Sequence, residues 1–318
     1  MNFATLREAI IHFDEFQNCR QFLMELRWPD GVVRCPQCGS ERVTWLEKAR
    51  VWKCSTKHSM RKFSLKTSTI FEDSPIGLDK WLPALWLLVN CKNGISSCEL
   101  ARDLKVTQKT AWFMLHRLRY AMQGEDGGML SGEVEVDETF IGGKARNMHK
   151  SKREEKITGR GPEGKAIVAA VLERHGKVRA TVVETRKKKP LQTLVRENVE
   201  PGSNVYSDAL KSYDGLEQDF THQVIDHAEA YVNGQVHTNG LENFWCLLKR
   251  GLNGTYISVE PFHLFRYVDE QAFRFNNRND MDDLDRFKLA ASQIVGKRLM
   301  YRELTGKTGE EETQSEIF

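Results

Sequence analysis

Between residues 132 and 251 the sequence switches between an apolar period of two and one of about 3.6, and the order of those switches is its strongest constraint on fold. Residues 132–141 alternate as a strand bounded by Gly132 and the pair Gly142-Gly143. Two apolar runs, 166–172 and 178–183, are joined across 173–177 and read as a hairpin. Helical spacing over 190–199, with Pro190 at its start, leads through Pro201-Gly202 into a short strand at 203–207. A further strand at 221–225 precedes a helix over 240–250 that stops at Gly251. The order β-β-β-α-β-(α)-β-α calls for an α/β core, a sheet flanked by helices.

Three acids fall at telling places in that order: Asp137 in the first strand, Asp208 closing the fourth, and Glu242 opening the last helix. Magnesium binds through a few carboxylates and fills its other positions with water and phosphate oxygens. Carboxylates from separate elements can therefore converge on a metal pair about 3.5–4 Å apart, which activates an attacking oxygen and stabilises a leaving one. Seven helical residues at about 100° each return almost to the starting azimuth. Lys249 thus shares a face with Glu242 and Cys246, within reach of a metal-held phosphate, while Leu241, Trp245, Leu248 and Leu252 form the apolar stripe that docks the helix. Taken singly, each acid reads more simply as a solvated turn residue; the conjunction favours a site. Of the polar residues before the helix, Asn239 reads as its cap.

Several strings here resemble one group of bacterial insertion-sequence DDE transposases, in which a zinc ribbon precedes a ribonuclease H-like (ISXO2-like) catalytic domain. They are EVDETFIGGK at 135–144, YSDA at 206–209, HTNGLENFW at 237–245 running on to KRG at 249–251, FHLFRYVDE at 262–270 and FRFNNR at 273–278. The resemblance spans about residues 20 to 280. It implies a ribonuclease H-like mixed sheet, with Asp137, Asp208 and Glu242 holding two Mg²⁺ (or Mn²⁺) ions and Asn239 or Asn243 able to assist at the third position. It further implies cleavage and strand transfer at the terminal inverted repeats of an insertion sequence, by a homodimer or higher oligomer on double-stranded DNA, with Lys249 steadying the end DNA. The alternatives are a ribonuclease H-like nuclease without strand transfer and a non-catalytic DNA-binding derivative.

With 318 residues the chain can bury a large core. Its net charge of +3 is small, so affinity for nucleic acid must come from local clusters. One cluster comprises Lys144, Arg146, Lys150, Lys152, Arg153, Lys156, Arg160 and Lys165; another is Arg186 to Lys189. Each reads either as a solvated loop or as a phosphate-neutralising surface, with Lys144, Lys249 and Arg250 as DNA contacts. No apolar run approaches the roughly 20 residues that span a bilayer, and no signal-peptide pattern opens the chain, so a cytoplasmic location without membrane is expected.

Seven scattered cysteines in a reducing compartment point to metal rather than disulfides. Cys35-Pro36-Gln37-Cys38 is a knuckle, and Cys54 with His58 supplies a second half in Cys-x₃-His spacing, because Lys57 stands where a second cysteine is usual. Two readings stay open: a Zn²⁺ ribbon, or a metal-free one held by Trp45, Trp52 and Phe63. Helical patterns at 78–89, 97–104 and from Gln108 follow, the last two reading as a helix-turn-helix with Thr107 as N-cap. Gln108, Lys109 and Thr110 would meet DNA, with Arg117 and Arg119 adding charge; a plain helical hairpin is the alternative. The expected layout is an N-terminal helical segment (1–30), zinc ribbon (31–70), helix-turn-helix (76–125), catalytic core (130–280), and a C-terminal helix with a polar tail (281–318).

Overall fold

The computed structural model describes residues 3–123, 127–143, 149–151, 154, 164–225 and 237–306. The chain divides into two compact units, residues 125–279 and residues 1–124 with 280–318.

The first of these is built on a five-stranded sheet. Strands β4 (Glu133–Ile141), β5 (Ala166–Glu173) and β6 (Val178–Val183) form an antiparallel meander, and β7 (Asn204–Asp208) and β8 (Thr221–Ile225) add in parallel on the free side of β4. The spatial order is β6-β5-β4-β7-β8, the mixed sheet that the resemblance implies. Helix α6 (Lys188–Asn198) covers one face, where Leu191, Leu194 and Val195 pack on Val134, Val136, Ala169, Val171 and Val205. Helices α7 (Asn239–Gly251) and α8 (Leu264–Asn276) cover the other, with Leu241, Phe244, Trp245 and Leu248 against Val168, Ala170 and Leu172. Strand alternation therefore does not separate core from water here. Glu133, Glu135 and Asp137 sit on the face that α7 covers, and a carboxylate buried as Glu135 is requires hydrogen-bond partners.

The second unit begins with α1 (Leu6–Asp14), capped reciprocally by Thr5 and Glu8, and α2 (Phe16–Arg27). A three-stranded antiparallel ribbon follows, made of β1 (Val43–Leu46), β2 (Val51–Cys54) and β3 (Lys62–Phe63). Helices α3 (Leu78–Asn90), α4 (Ser97–Asp103) and α5 (Gln108–Ala121) come next, and α9 (Asp283–Ser292) and α10 (Tyr301–Thr305) return to complete the unit. Its core is aromatic: Phe22 stacks on Phe287 at 5.4 Å between ring centroids, beside Phe3, Phe13 and Trp86. Arg286 Nε donates to Asn90 Oδ1 and Asn90 Nδ2 donates to the Asp283 carbonyl, fixing the returning α9 against α3. Among the described residues no helix is long and apolar enough to cross a membrane.

Candidate functional site

Parallel pairing of β4 with β7 matches Val134 to Val205 and Val136 to Ser207, so the next residues, Asp137 and Asp208, stand side by side where β7 ends. Asp208 shares the strand parity of Tyr206, whose ring lies beneath Arg174 on the α7 face. Asp137 Oδ1 accepts from the Glu138 N–H at 2.8 Å, and Oδ2 accepts from Trp245 Nε1 at 2.8 Å. Burial pushes the Asp137 carboxyl up to about 7; the Trp245 hydrogen bond opposes this, and the negative charges of Glu138 and Asp208 add to it. Trp245 thus does more than dock the helix, because its indole N–H, buried and in need of an acceptor, fixes Asp137. The apolar stripe concealed that role. Glu138 points to the opposite face, accepting from Tyr213 Oη at 2.9 Å with Arg186 3.9 Å away. Burial, then the charge of Asp208, raises its pKa as well.

A buried polar strap sets where α7 begins. Glu135, 1% exposed, accepts from the Leu241 N–H at 3.0 Å and pairs with Arg174 Nε at 3.1 Å. Arg174 in turn donates to the His237 carbonyl at 3.0 Å, and Glu133 accepts from Tyr206 Oη at 2.9 Å. Glu133, Glu135, Arg174 and His237, with Asn243 and Arg278, line a cavity of about 340 Å³. Asn243 therefore lies with the strap rather than with Asp137.

Glu242 is exposed, one helical turn before Trp245, and Lys249 and Arg250 are exposed on the last turn of α7. Among the described residues, three or more potential ligand side chains draw together only in the ribbon. Asp137 and Asp208 are paired, and Glu242 lies outside a closed cluster with them. The helix is capped at Thr238 with no side-chain cap bond, so Asn239 is its first residue and not its cap. Lys144 and most of the basic segment after it lie outside the described residues; Lys150 and Lys165 are within them, the former 3.9 Å from Glu154.

In the ribbon, the donor atoms of Cys35, Cys38, Cys54 and His58 all lie within 4.8 Å of one another. A tetrahedral zinc with Zn–S of ~2.3 Å and Zn–N of ~2.0 Å has S···S edges of ~3.8 Å and S···N edges of ~3.5 Å. Cys38 Sγ is 3.7 Å from Cys54 Sγ, and Cys35 Sγ is 3.4 Å from His58 Nε2. The four side chains thus fit zinc without rearrangement, and the Cys-x₃-His half meets the knuckle. Burial pushes the Cys54 thiol up, but hydrogen bonds from His58, the Thr56 backbone and Cys38 outweigh it and bring it down to about 6. Aromatic packing supports the same unit: Trp52 stacks on Phe63 and meets Trp45, over which the Arg20 guanidinium sits at 4.3 Å.

Helices α4 and α5 carry the expected caps, Ser96 accepting from the Glu99 N–H and Thr107 from the Thr110 N–H. Gln108 and Lys109 are exposed on the first turn of α5, and Gln108 bonds Ser97 Oγ at 2.8 Å, tying the two helices together. Thr110 is half-buried and pairs with Thr107. Arg117 does not belong to a DNA-facing surface. It is 6% exposed, its guanidinium donates to the Ile70 and Glu72 carbonyls, and Arg119 is buried too. Both are buried although they stand about 200° apart around the helix, because α5 is covered on every side from Met114 to Arg119.

The family model for the ISXO2-like transposase domain matches residues 129–276, and that for the transposase zinc-ribbon domain matches residues 15–56. An uncharacterized protein in transposable element ISH50 of Halobacterium salinarum is 29% identical over 242 residues, covering 73% of this chain and 81% of the relative. An uncharacterized transposase-like protein of Haemophilus influenzae is 35% identical over 102 residues, 32% of this chain and 82% of the relative. The crystal structure of the Mos1 strand transfer complex aligns at 12% identity over 69% of this chain and 79% of that one, with a TM-score of 0.21, too low to carry an argument.

Proposed function

Since the chain belongs to the ISXO2-like transposase family, in the form that bears a transposase zinc ribbon, we propose that it cleaves and joins DNA at the terminal inverted repeats of an insertion sequence. The observation that most supports this is the placement of Asp137 and Asp208 side by side on adjacent parallel strands, with the tip of Trp245 on Asp137. Two hard oxygen donors set side by side, with the Asp137 carboxyl pushed up to about 7 by burial, fit a divalent cation, whose charge reverses that preference for the protonated form. A pair of Mg²⁺ or Mn²⁺ ions bound there would supply Lewis-acid activation of the attacking oxygen and stabilisation of the leaving one.

Asp137 and Asp208 would hold that pair, and Glu242, exposed on the first turn of α7, would complete the set. Asn239, the first residue of α7, would assist at that position. Trp245 keeps Asp137 in one orientation, and Lys249 grips a phosphate of the element end. A water oxygen attacks the phosphorus at the end and breaks the bond to the 3′ oxygen, freeing a 3′-hydroxyl. That hydroxyl then attacks a target phosphodiester in line, releasing the target's own 3′ oxygen. Joining two ends to one target calls for at least a dimer on DNA. Gln108, Lys109 and Thr110 contact the repeat from the first turn of α5, and the ribbon, with Zn²⁺ on Cys35, Cys38, Cys54 and His58, assists. The work is done in the cytoplasm, on the DNA.

Incubating the protein with Mg²⁺, a labelled repeat end and a supercoiled target tests this reading. End-specific nicking followed by joined product is expected. Nicking without joining would favour a nuclease, and binding without nicking a non-catalytic derivative.

A further inference from the structure

The segment joining α7 to α8 presents an exposed apolar side chain on a sterically disfavoured backbone. After the wide turn Leu252–Tyr256, Ile257 has φ +62° and ψ −53°, and the Ser258 N–H closes a γ-turn on the Tyr256 carbonyl at 2.6 Å. A β-branched residue is sterically disfavoured at positive φ, and the γ-turn of this hand is rare and strained. Glycine would meet no such penalty. Nevertheless Ile257 is 80% exposed, and Phe262, in the same segment, is 55% exposed.

The strained turn is held from beneath. The Tyr256 ring packs edge-on against Tyr267 at 4.7 Å, and its hydroxyl donates to Glu270, which is fully buried and paired with Arg274. Strain persists only where its surroundings over-determine it, and such positions concentrate at functional sites.

Its position follows from the pairings. Helix α7 bonds Glu135 at Leu241 and Asp137 at Trp245, so it runs along β4 toward that strand's C-terminal end. Helix α8 runs the other way and ends at Asn276, which bonds both backbone groups of Val178, opposite Leu172 and hence at the Glu135 end of β4. The connecting segment therefore lies at the end of the sheet where Asp137 and Asp208 stand. Lys249 and Arg250 precede it, and Glu260 is the one acid between Lys249 and His263, a balance that favours a polyanion.

We propose that Ile257 is an apolar wedge, supported by Phe262, that enters the DNA duplex at the element end and unstacks the base step beside the scissile phosphate. Aliphatic and aromatic side chains do this elsewhere, at a few kcal/mol per unstacked step that contacts to the distorted DNA offset. The inference rests on the reading of this sheet end as the place where DNA is cut. The wedge lowers the work of bringing one phosphate out of a stacked duplex to the acids.

The test places 2-aminopurine at the terminal base steps of a repeat end and adds full-length Asp208→Ala protein, which binds without cutting. Fluorescence should rise, the further change Ile257→Gly should abolish the rise while retaining binding, and Ile257→Met should restore it. In otherwise unaltered protein, Ile257→Gly should slow cleavage of an intact end on the order of tenfold and cut an end with mismatched terminal pairs at the wild-type rate. Because glycine relieves the turn, the variant should melt no lower than its parent, which separates wedge loss from misfolding. An undiminished fluorescence rise with Ile257→Gly would overturn the proposal, as would equal slowing on intact and mismatched ends, or a changed oligomeric state with unchanged DNA distortion. Absence of end cleavage by unaltered protein, with the fluorescence pattern intact, would instead sink the transposase reading and leave the wedge standing.

Discussion

Asp137 shows how a site can be legible and yet incompletely read. Its place in an alternating strand identified it as a candidate, but the indole N–H on its Oδ2 and the neighbouring charges of Glu138 and Asp208 are tertiary facts. Its raised pKa has a stability consequence with a definite sign. The folded state favours the protonated carboxyl, so that contribution is complete below the ordinary value of 3.8 and is lost as pH rises through about 7. Above neutrality, without divalent metal, the fold carries a disfavoured charge. Asp137→Asn, whose carbonyl still accepts from Trp245, should therefore raise the metal-free melting temperature at pH 8 by several degrees while abolishing end cleavage. Added Mg²⁺ should stabilise the parent and not the variant, as differential scanning fluorimetry would register. A variant that melts lower at pH 8 and equal at pH 4 would contradict the assignment of that burial penalty.

At the scale of elements, helix α7 is located by the Glu135–Arg174 strap as much as by its apolar stripe. Removing one partner of a buried ion pair leaves an uncompensated charge, so Arg174→Met should cost about 3–5 kcal/mol, visible in a urea melt of the whole chain. Glu135→Gln, which keeps an acceptor for Leu241, should cost less. The order of strands and helices was readable because the two periods differ plainly, and the bounds of the 221–225 strand coincide with the structure. The strap was not. Arg174 stands in what reads as a hairpin loop, and the alternation over 132–141 does not say what lies above Glu133 and Glu135. Arg117 failed for the converse reason: a positive charge on a helix was credited to DNA, whereas its guanidinium satisfies the Ile70 and Glu72 carbonyls inside the unit. The Cys54-x₃-His58 half was found from spacing alone, since four ligands within a short segment leave few alternatives.

For the whole molecule, the proposed division of labour is between a unit that reads DNA and a unit that cuts it. Purified protein should carry one zinc per chain; His58→Cys should retain it and His58→Ala should lose it, with loss of end binding and a separate low-temperature unfolding step for the ribbon. Lys109→Ala, on the exposed first turn of α5, should weaken repeat binding and reduce the salt dependence of binding by about one counterion, leaving the melting temperature unchanged. The central claim, that Asp137 and Asp208 hold the metals that cut the element end, is tested most directly by metal-specificity exchange. With Asp208→Cys, end cleavage should fail in Mg²⁺ and return in part in Mn²⁺, which accepts a thiolate more readily, while repeat binding stays constant. Full cleavage in Mg²⁺ by Asp208→Cys or by Asp208→Ala would contradict the account.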